Sequence, residues 1–334
     1  MFSSRISLRR SCQSCAKHKR RCDQRLPQCT RCATRGTPCE YINTPWAVEK
    51  RSNRPPASVK ATSSMNLPLH LEIIKTFDGT IIRFLVDSMR TFPVTFAQQM
   101  KTLFIHPDLY RSSPHLAPIQ EIHTVCKSYQ SNVYSPRLFG ILRQKAVQIH
   151  RCATRASSFE ELLFCVQALI LAHCILAFDE HENSQYSEAT STMLTNLALK
   201  LWHQAPIQLP HAMSARRAWL FAESVRRTII IAYMLCSVYS FGKRSFSVRT
   251  PFVDALPFDV RTSLWDEPTD SGWEEKARHA PVAMVSLREY SDMLESGRVH
   301  GISFFGSLIL AACKGLPAEK VAFPPVQGYR DISL

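Results

Sequence analysis

The chain has 334 residues, 45% hydrophobic and 10% aromatic, which allows one to three domains and a sizeable core and excludes disorder throughout. Its net charge of +14 is unevenly spread: residues 1–60 hold 14 Lys+Arg against 3 Asp+Glu, and the remaining 274 carry 27 against 24. A small basic head on a nearly neutral body points to a polyanionic partner bound by the head.

Residues 1–11 form a basic arm, with Arg5, Arg9 and Arg10 among serines. The arm lacks the apolar run of a signal peptide and suits phosphate contacts. Next comes CQSCAKHKRRCDQRLPQCTRCATRGTPC, Cys12 to Cys39, which holds six of the chain's twelve cysteines. It is one half-motif, C-x2-C-x6-C, written twice: Cys12, Cys15 and Cys22, then Cys29, Cys32 and Cys39, offset by seventeen residues. A C-x2-C pair sets two thiolates on one side of a turn, and structural zinc takes four such ligands in a tetrahedron. Two separate zincs would need eight ligands. Six cysteines suffice if one in each half is shared, and the pseudo-symmetry selects Cys12 and Cys29 as the bridges. A secreted disulfide framework is disfavoured by the missing leader. A single four-cysteine site of Cys12, Cys15, Cys29 and Cys32 would leave the symmetric Cys22 and Cys39 unused.

The segment resembles the fungal binuclear zinc cluster, a DNA-binding module of two zincs and six cysteines. Its cysteine pattern is met at every position, and Pro27 matches a proline that members often carry between the halves. The run Lys17, His18, Lys19, Arg20 and Arg21 fills the slot between second and third cysteines, where the family keeps its DNA-facing residues. The resemblance implies that Lys19 reads guanine edges in a CGG-like triplet, with Arg9, Arg10, Lys17, Arg20 and Arg21 on phosphates.

The cluster is expected over 12–42. Residues 43–67 read as a basic Pro/Ser-rich linker, extended around Pro55 and Pro56. No sustained apolar heptad appears in 43–80, so the dimerising coiled coil common after such clusters is not visible. Any homodimer would use the larger body.

Residues 68–334 read as an all-α regulatory domain. The expected helices are Ile81–Arg90, Pro136–Ala156, Leu162–Phe178, Glu188–Trp202, Ala212–Phe241, Val285–Leu294 and Ile302–Cys313. Ser158 and Glu161 make a capping box before the most apolar of them. That helix is short for a membrane span and acid-flanked, so it reads as a buried central helix. Trp219, Glu223, Arg227, Leu256, Trp265 and Trp273 lie in a stretch that resembles the helical regulatory domain downstream of many fungal zinc clusters.

Chemistry in the body finds little support. His106, His123, His150, His173 and His203 are dispersed, and Asp266, Glu267 and Asp270 lack a second acidic helix. Cys126, Cys152, Cys165, Cys174, Cys236 and Cys313 read as small buried hydrophobes. Between Asp254 and Glu275 acids alternate with bulky apolars, the composition of an activation segment, though a surface loop with inward tryptophans fits better. No enzyme is expected. The expectation is a nuclear, zinc-dependent, sequence-specific DNA-binding transcription regulator of RNA polymerase II genes, with double-stranded DNA, a second copy and co-regulators as partners and no membrane. The alternative is a helical scaffold or small-molecule receptor whose zinc-stabilised appendage binds nucleic acid without specificity.

Overall fold

The computed structural model describes residues 11–23, 28–39, 72–75, 77–111, 113, 115–131, 136–178, 184–205, 213–249, 253–279, 284–299 and 302–320. Arg9, Arg10, Pro27 and the linker expected over 43–67 lie outside these. The chain divides into two units, Met1–Met65 and Asn66–Leu334.

In the first unit two short helices, α1 (Gln13–Lys17) and α2 (Thr30–Arg35), stand around a core made of cysteines. Cys12, Cys15, Cys29 and Cys32 are buried with Cys22 and Cys39 packed against them, and among the described residues no other apolar side chain joins that cluster.

The second unit begins with strand β1 (Glu72–Lys75) and continues through α3 (Gly79–Gln99), α4 (Pro107–Tyr110), α5 (Ala117–Gln130), α6 (Pro136–Arg155), α7 (Phe159–Phe178), α8 (Ser184–Gln204) and α9 (Ala215–Arg244). After these come β2 (Phe246–Arg249), β3 (Pro257–Asp259), a tight turn of helix at Thr262–Asp266, α10 (Asp270–His279), β4 (Met284–Ser286), α11 (Leu287–Glu295) and α12 (Phe304–Lys314). α7 is the axis of this unit. Every residue from Leu162 to Leu176 is buried, and the helix packs on α3, α5, α6, α8 and α9. A helix apolar on all sides has no solvent face to present, so it takes the centre. By length and composition it could cross a membrane, but it serves here as the core. Half of the capping box forms as expected, Glu161 N–H donating to Ser158 Oγ at 3.1 Å, while the Glu161 carboxylate reaches one residue further back and accepts from Ser157 N–H at 2.8 Å.

Several elements differ from the expectation. α3 runs on through Pro93, because Phe92, Phe96 and Ala97 beyond Arg90 bury against the core and offset the missing backbone bond. α5 and α10 were not foreseen. Two antiparallel ribbons interrupt the helices: β1 pairs with β2, Glu72 opposite Arg249, and β3 pairs with β4, Phe258 opposite Val285. Of the six body cysteines, Cys126, Cys165 and Cys174 are buried as expected, Cys236 and Cys313 are half-buried, and Cys152 is exposed on the outer face of α6.

A polar cluster locks α9 to the chain that follows. The carboxylate of Glu223 accepts from Arg227 Nε at 2.8 Å, and the Arg227 guanidinium lies 4.4 Å over the Trp265 ring and 4.8 Å from the Phe305 ring. Asp259 accepts from Trp219 Nε1 at 2.7 Å and from Arg261, which hold its carboxyl below the ordinary range although burial opposes ionisation. Trp265 and Trp273 are buried, so the acidic stretch 254–275 is a packed part of the unit, as the surface-loop reading held.

Candidate metal centre and nucleic-acid interface

The two halves of the cluster share one backbone. Each begins with an extended cysteine, Cys12 at φ −60°, ψ 156° and Cys29 at φ −66°, ψ 149°, that caps the helix behind it. The Cys12 sulfur accepts from Cys15 N–H, and the Cys29 sulfur from Cys32 N–H, both at 3.4 Å. A sulfur in the N-cap role meets an orphan helix donor and gains from the helix dipole as a thiolate. The C-x2-C spacing thereby brings the next cysteine to the same side.

The sulfurs converge across the halves. Cys12 Sγ lies 3.8 Å from both Cys29 Sγ and Cys32 Sγ, and Cys15 Sγ lies 3.7 Å from Cys29 Sγ. A zinc with Zn–S near ~2.3 Å in a tetrahedron sets its sulfurs ~3.8 Å apart, so these separations fit thiolates sharing an ion. Cys22 Sγ and an Asp23 carboxylate oxygen come within 4.8 Å of Cys29 Sγ and of each other. On the other side, Cys39 Sγ accepts from Cys29 N–H at 3.3 Å. All six sequence-predicted cysteines therefore gather at one centre.

Burial and the crowding of sulfurs make ionisation of the central thiols costly. Burial pushes the Cys12 thiol up to about 12 and the Cys15 thiol up to about 11. Cys29 is lowered by the Cys32 amide but raised more by burial and its sulfur neighbours, to about 12. At Cys32 burial also opposes ionisation, yet hydrogen bonds from Cys29, Thr37 and Cys12 bring it down to about 6. A site that favours one thiolate needs positive charge to hold more, and a divalent cation supplies it.

The basic run leaves the first helix. Lys17 is the last residue of α1, His18 its cap, and Lys17, His18, Lys19, Arg20 and Arg21 are all exposed. Arg20 N–H donates to Cys15 O at 2.9 Å and Lys19 N–H to Ala16 O at 3.1 Å, closing the helix with Lys19 in the left-handed region at φ 48°. The second half ends the same way: Thr37 N–H donates to Cys32 O at 3.1 Å, with Gly36 at φ 59°. Glycine adopts this conformation freely, whereas an L side chain there is strained by roughly 1–2 kcal/mol.

Two features were missed in the sequence. Asp23 accepts from Thr30 N–H at 3.1 Å, tying the end of the first half to the start of α2. Arg35 repeats in the second half the exposed basic position at the end of a helix. In the helical unit no metal-ligating group of His, Cys, Asp or Glu occurs among the described residues. Asp266 pairs with Lys101, Asp270 with Arg216 and Glu267 with Lys276.

Residues 10–45 match the model of the fungal Zn(2)-Cys(6) binuclear cluster domain. Over an alignment of 390 residues the chain is 25% identical to "Transcription factor gsfR2" of Penicillium aethiopicum, with 93% of each chain covered. Other relatives match over a short stretch. The "Ergochrome gene cluster transcriptional regulator" of Claviceps purpurea is 47% identical over 57 residues, 17% of this chain and 11% of that protein. The "Geodin cluster transcription factor" of Aspergillus terreus is 48% identical over 46 residues, 14% of this chain and 20% of that protein. No solved structure matches the chain.

Proposed function

Starting from residues 10–45 as a fungal Zn(2)-Cys(6) binuclear cluster domain holding two zinc ions, we infer that the chain is a nuclear, sequence-specific DNA-binding transcription regulator. All six cysteines act as ligands. Cys12, Cys15, Cys22 and Cys29 hold one zinc; Cys29, Cys32, Cys39 and Cys12 hold the other, so that Cys12 and Cys29 bridge. The supporting observation is the set of cross-half sulfur separations of 3.7–3.8 Å, each involving Cys12 or Cys29. The zincs are structural. They take the place of an apolar core, since the buried cluster of this unit is made of cysteines among the described residues, so metal binding and folding are one event.

Once folded, the unit presents Lys19 at the helix end as the reader of a CGG-like triplet, guanine offering O6 and N7 in the major groove. Lys17, His18, Arg20 and Arg21, with Arg9 and Arg10 of the arm, contact the phosphates and set orientation. Import follows from the basic residues of 17–21 and 50–54. The helical unit supplies the second-copy and co-regulator contacts and carries no catalytic role. Because relatives are named as regulators of gene clusters, the targets we assign are the genes of one biosynthetic cluster.

The test is competition with the zinc-loaded full chain on a labelled CGG duplex. Unlabelled CGG duplex should compete more than about tenfold better than scrambled duplex or RNA. Equal competition by all three would overturn sequence-specific reading and leave the cluster a general nucleic-acid binder.

A further inference from the structure

Helices packed side by side normally meet through apolar side chains, and α8 follows that rule with Leu194, Leu197, Ala198 and Leu201, all buried. Its other face breaks it. Glu188, Ser191, Thr192 and Thr195, at i, i+3, i+4 and i+7, line a cavity of about 330 Å³. Opposite them α9 sets Tyr233, Ser237, Ser240 and Arg244 at helical spacing, with Tyr239 and the β2 residue Ser247 also in the lining. Two helices in contact thus face each other through hydroxyls along a groove that opens to solvent at Glu188, Thr192 and Arg244, all exposed. Its volume lies at the lower end for small-molecule sites.

The hydrogen-bond directions narrow what could fill it. Thr192 Oγ1 donates to Glu188 O at 3.1 Å, Thr195 Oγ1 to Ser191 O at 3.0 Å and Ser240 Oγ to Phe246 O at 2.7 Å. The Thr192 and Ser240 hydrogens are committed to backbone carbonyls. That of Thr195 is shared between Ser191 O and, at 3.5 Å, the sulfur of Cys236, a further lining residue. The three oxygens thus have lone pairs left to accept. Glu188 adds a carboxylate, itself paired with Arg244. Thr192, Thr195 and Ser240 therefore offer acceptor oxygens, and a ligand that meets them carries donors. The Tyr233 and Tyr239 rings favour an aromatic body, and a slot between two packed helices favours a flat one. With Arg244, the one cation among the described lining residues, already paired with Glu188, a neutral ligand fits better than an anion.

We propose that the cavity between α8 and α9 binds a neutral, planar aromatic molecule bearing at least two hydroxyl groups. The site adjoins β2, whose partner β1 is the first described element of the helical unit. Given the regulator reading above, such a ligand is an effector. The binding itself requires neither DNA nor that reading.

The experiment is calorimetric titration of the zinc-loaded full chain, without DNA, using 2,7-dihydroxynaphthalene as probe. Its 2,7-dimethoxy analogue keeps the rings and loses both donors, and glucose has donors without the rings. The dihydroxy probe should bind, and the dimethoxy analogue should bind roughly tenfold more weakly for two lost hydrogen bonds. Ser237→Leu, which fills the space, should abolish binding with the helical content and melting temperature retained. If that variant fails to fold, the near-isosteric Thr195→Val serves instead, with binding expected several-fold weaker. No heat from the dihydroxy probe up to about 1 mM, equal binding of the dimethoxy analogue or of glucose, or undiminished binding by the folded variant would each overturn the proposal.

Discussion

Lys19 and Gly36 occupy the same backbone position, seventeen residues apart, in the two halves of the metal centre: both close a helix in the left-handed region, at φ 48° and 59°. The second half shows that glycine meets the geometric need. The first half carries a lysine there, under strain, at the middle of the exposed basic run. Met100 and Ser245 take the same conformation at the ends of α3 and α9, so the strain is tolerable and not unique to Lys19.

Lys19→Gly should therefore separate stability from recognition. The cluster should gain roughly 1 kcal/mol, read as greater resistance to chelator, because the strained conformation becomes free. Preference for CGG over scrambled duplex should fall by about 1–3 kcal/mol, or 5- to 150-fold. Lys19→Met should lose the same preference with two zincs retained. Undiminished preference in either variant would move the reading to Lys17 or to a backbone group.

Metal analysis distinguishes bridging from terminal cysteines. The full chain should contain two zincs. Cys12→Ser and Cys29→Ser should disturb both, whereas Cys15→Ser and Cys39→Ser should mainly release one. Zinc affinity should drop as pH falls, since each bound thiol gives up a proton that acid restores. A single zinc with all cysteines intact would refute the binuclear assignment.

Phosphate contacts have a different signature. Arg21→Ala should weaken all duplexes alike and reduce the slope of log affinity against log salt by about 1. A loss confined to CGG duplex would instead make Arg21 a base reader. Binding at several salt concentrations separates the two outcomes.

In the helical unit the buried Glu223 carboxylate is held by Arg227 at 2.8 Å and by Arg226 at 2.9 Å, so Arg227→Met should leave it with one partner and destabilise by about 1–3 kcal/mol. The triple change Glu223→Leu with Arg226→Met and Arg227→Met should cost much less than the sum of the single ones, because no charge of this cluster is left unpaired. Denaturation of the helical unit measures this, and zinc content should not change.

His173 should make the helical unit acid-sensitive. It is fully buried, its two ring nitrogens have no hydrogen-bond partner among the described residues, and its ring meets Tyr239 edge-on. Burial lowers its pKa from 6.5 to about 3. Above pH 6.5 it is neutral in folded and unfolded chains alike, and stability is undiminished. As pH falls below that value the unfolded chain takes up a proton the folded one refuses, so stability drops until about pH 3. His106, lowered to about 4 chiefly by burial, acts in the same direction. His173→Leu should flatten part of this acid limb in denaturation curves at pH 7 and pH 5.

The metal centre was legible because ligand geometry constrains cysteine spacing over a short stretch, leaving few other readings. The strain at Lys19 was not legible, since it depends on where a five-residue helix stops. α7 stood out by composition. α5 carries Ile119, Ile122, Val125 and Cys126 at helical spacing, but polar neighbours and Pro118 diluted the pattern. The ribbons are only three or four residues per strand, too short for alternation to register. Cys152 is exposed because it lies on the outer face of α6, a fact fixed by packing and not by residue type.

The pairing of β1 with β2 joins residues 72–75 to residues 246–249 across most of the helical unit. A truncation starting beyond Lys75 would remove a partner strand and leave the backbone groups of β2 on an open edge, ready to pair with another chain. Loss of function in such a fragment would then report aggregation, and deletion mapping of this chain should keep Glu72–Lys75 with everything downstream.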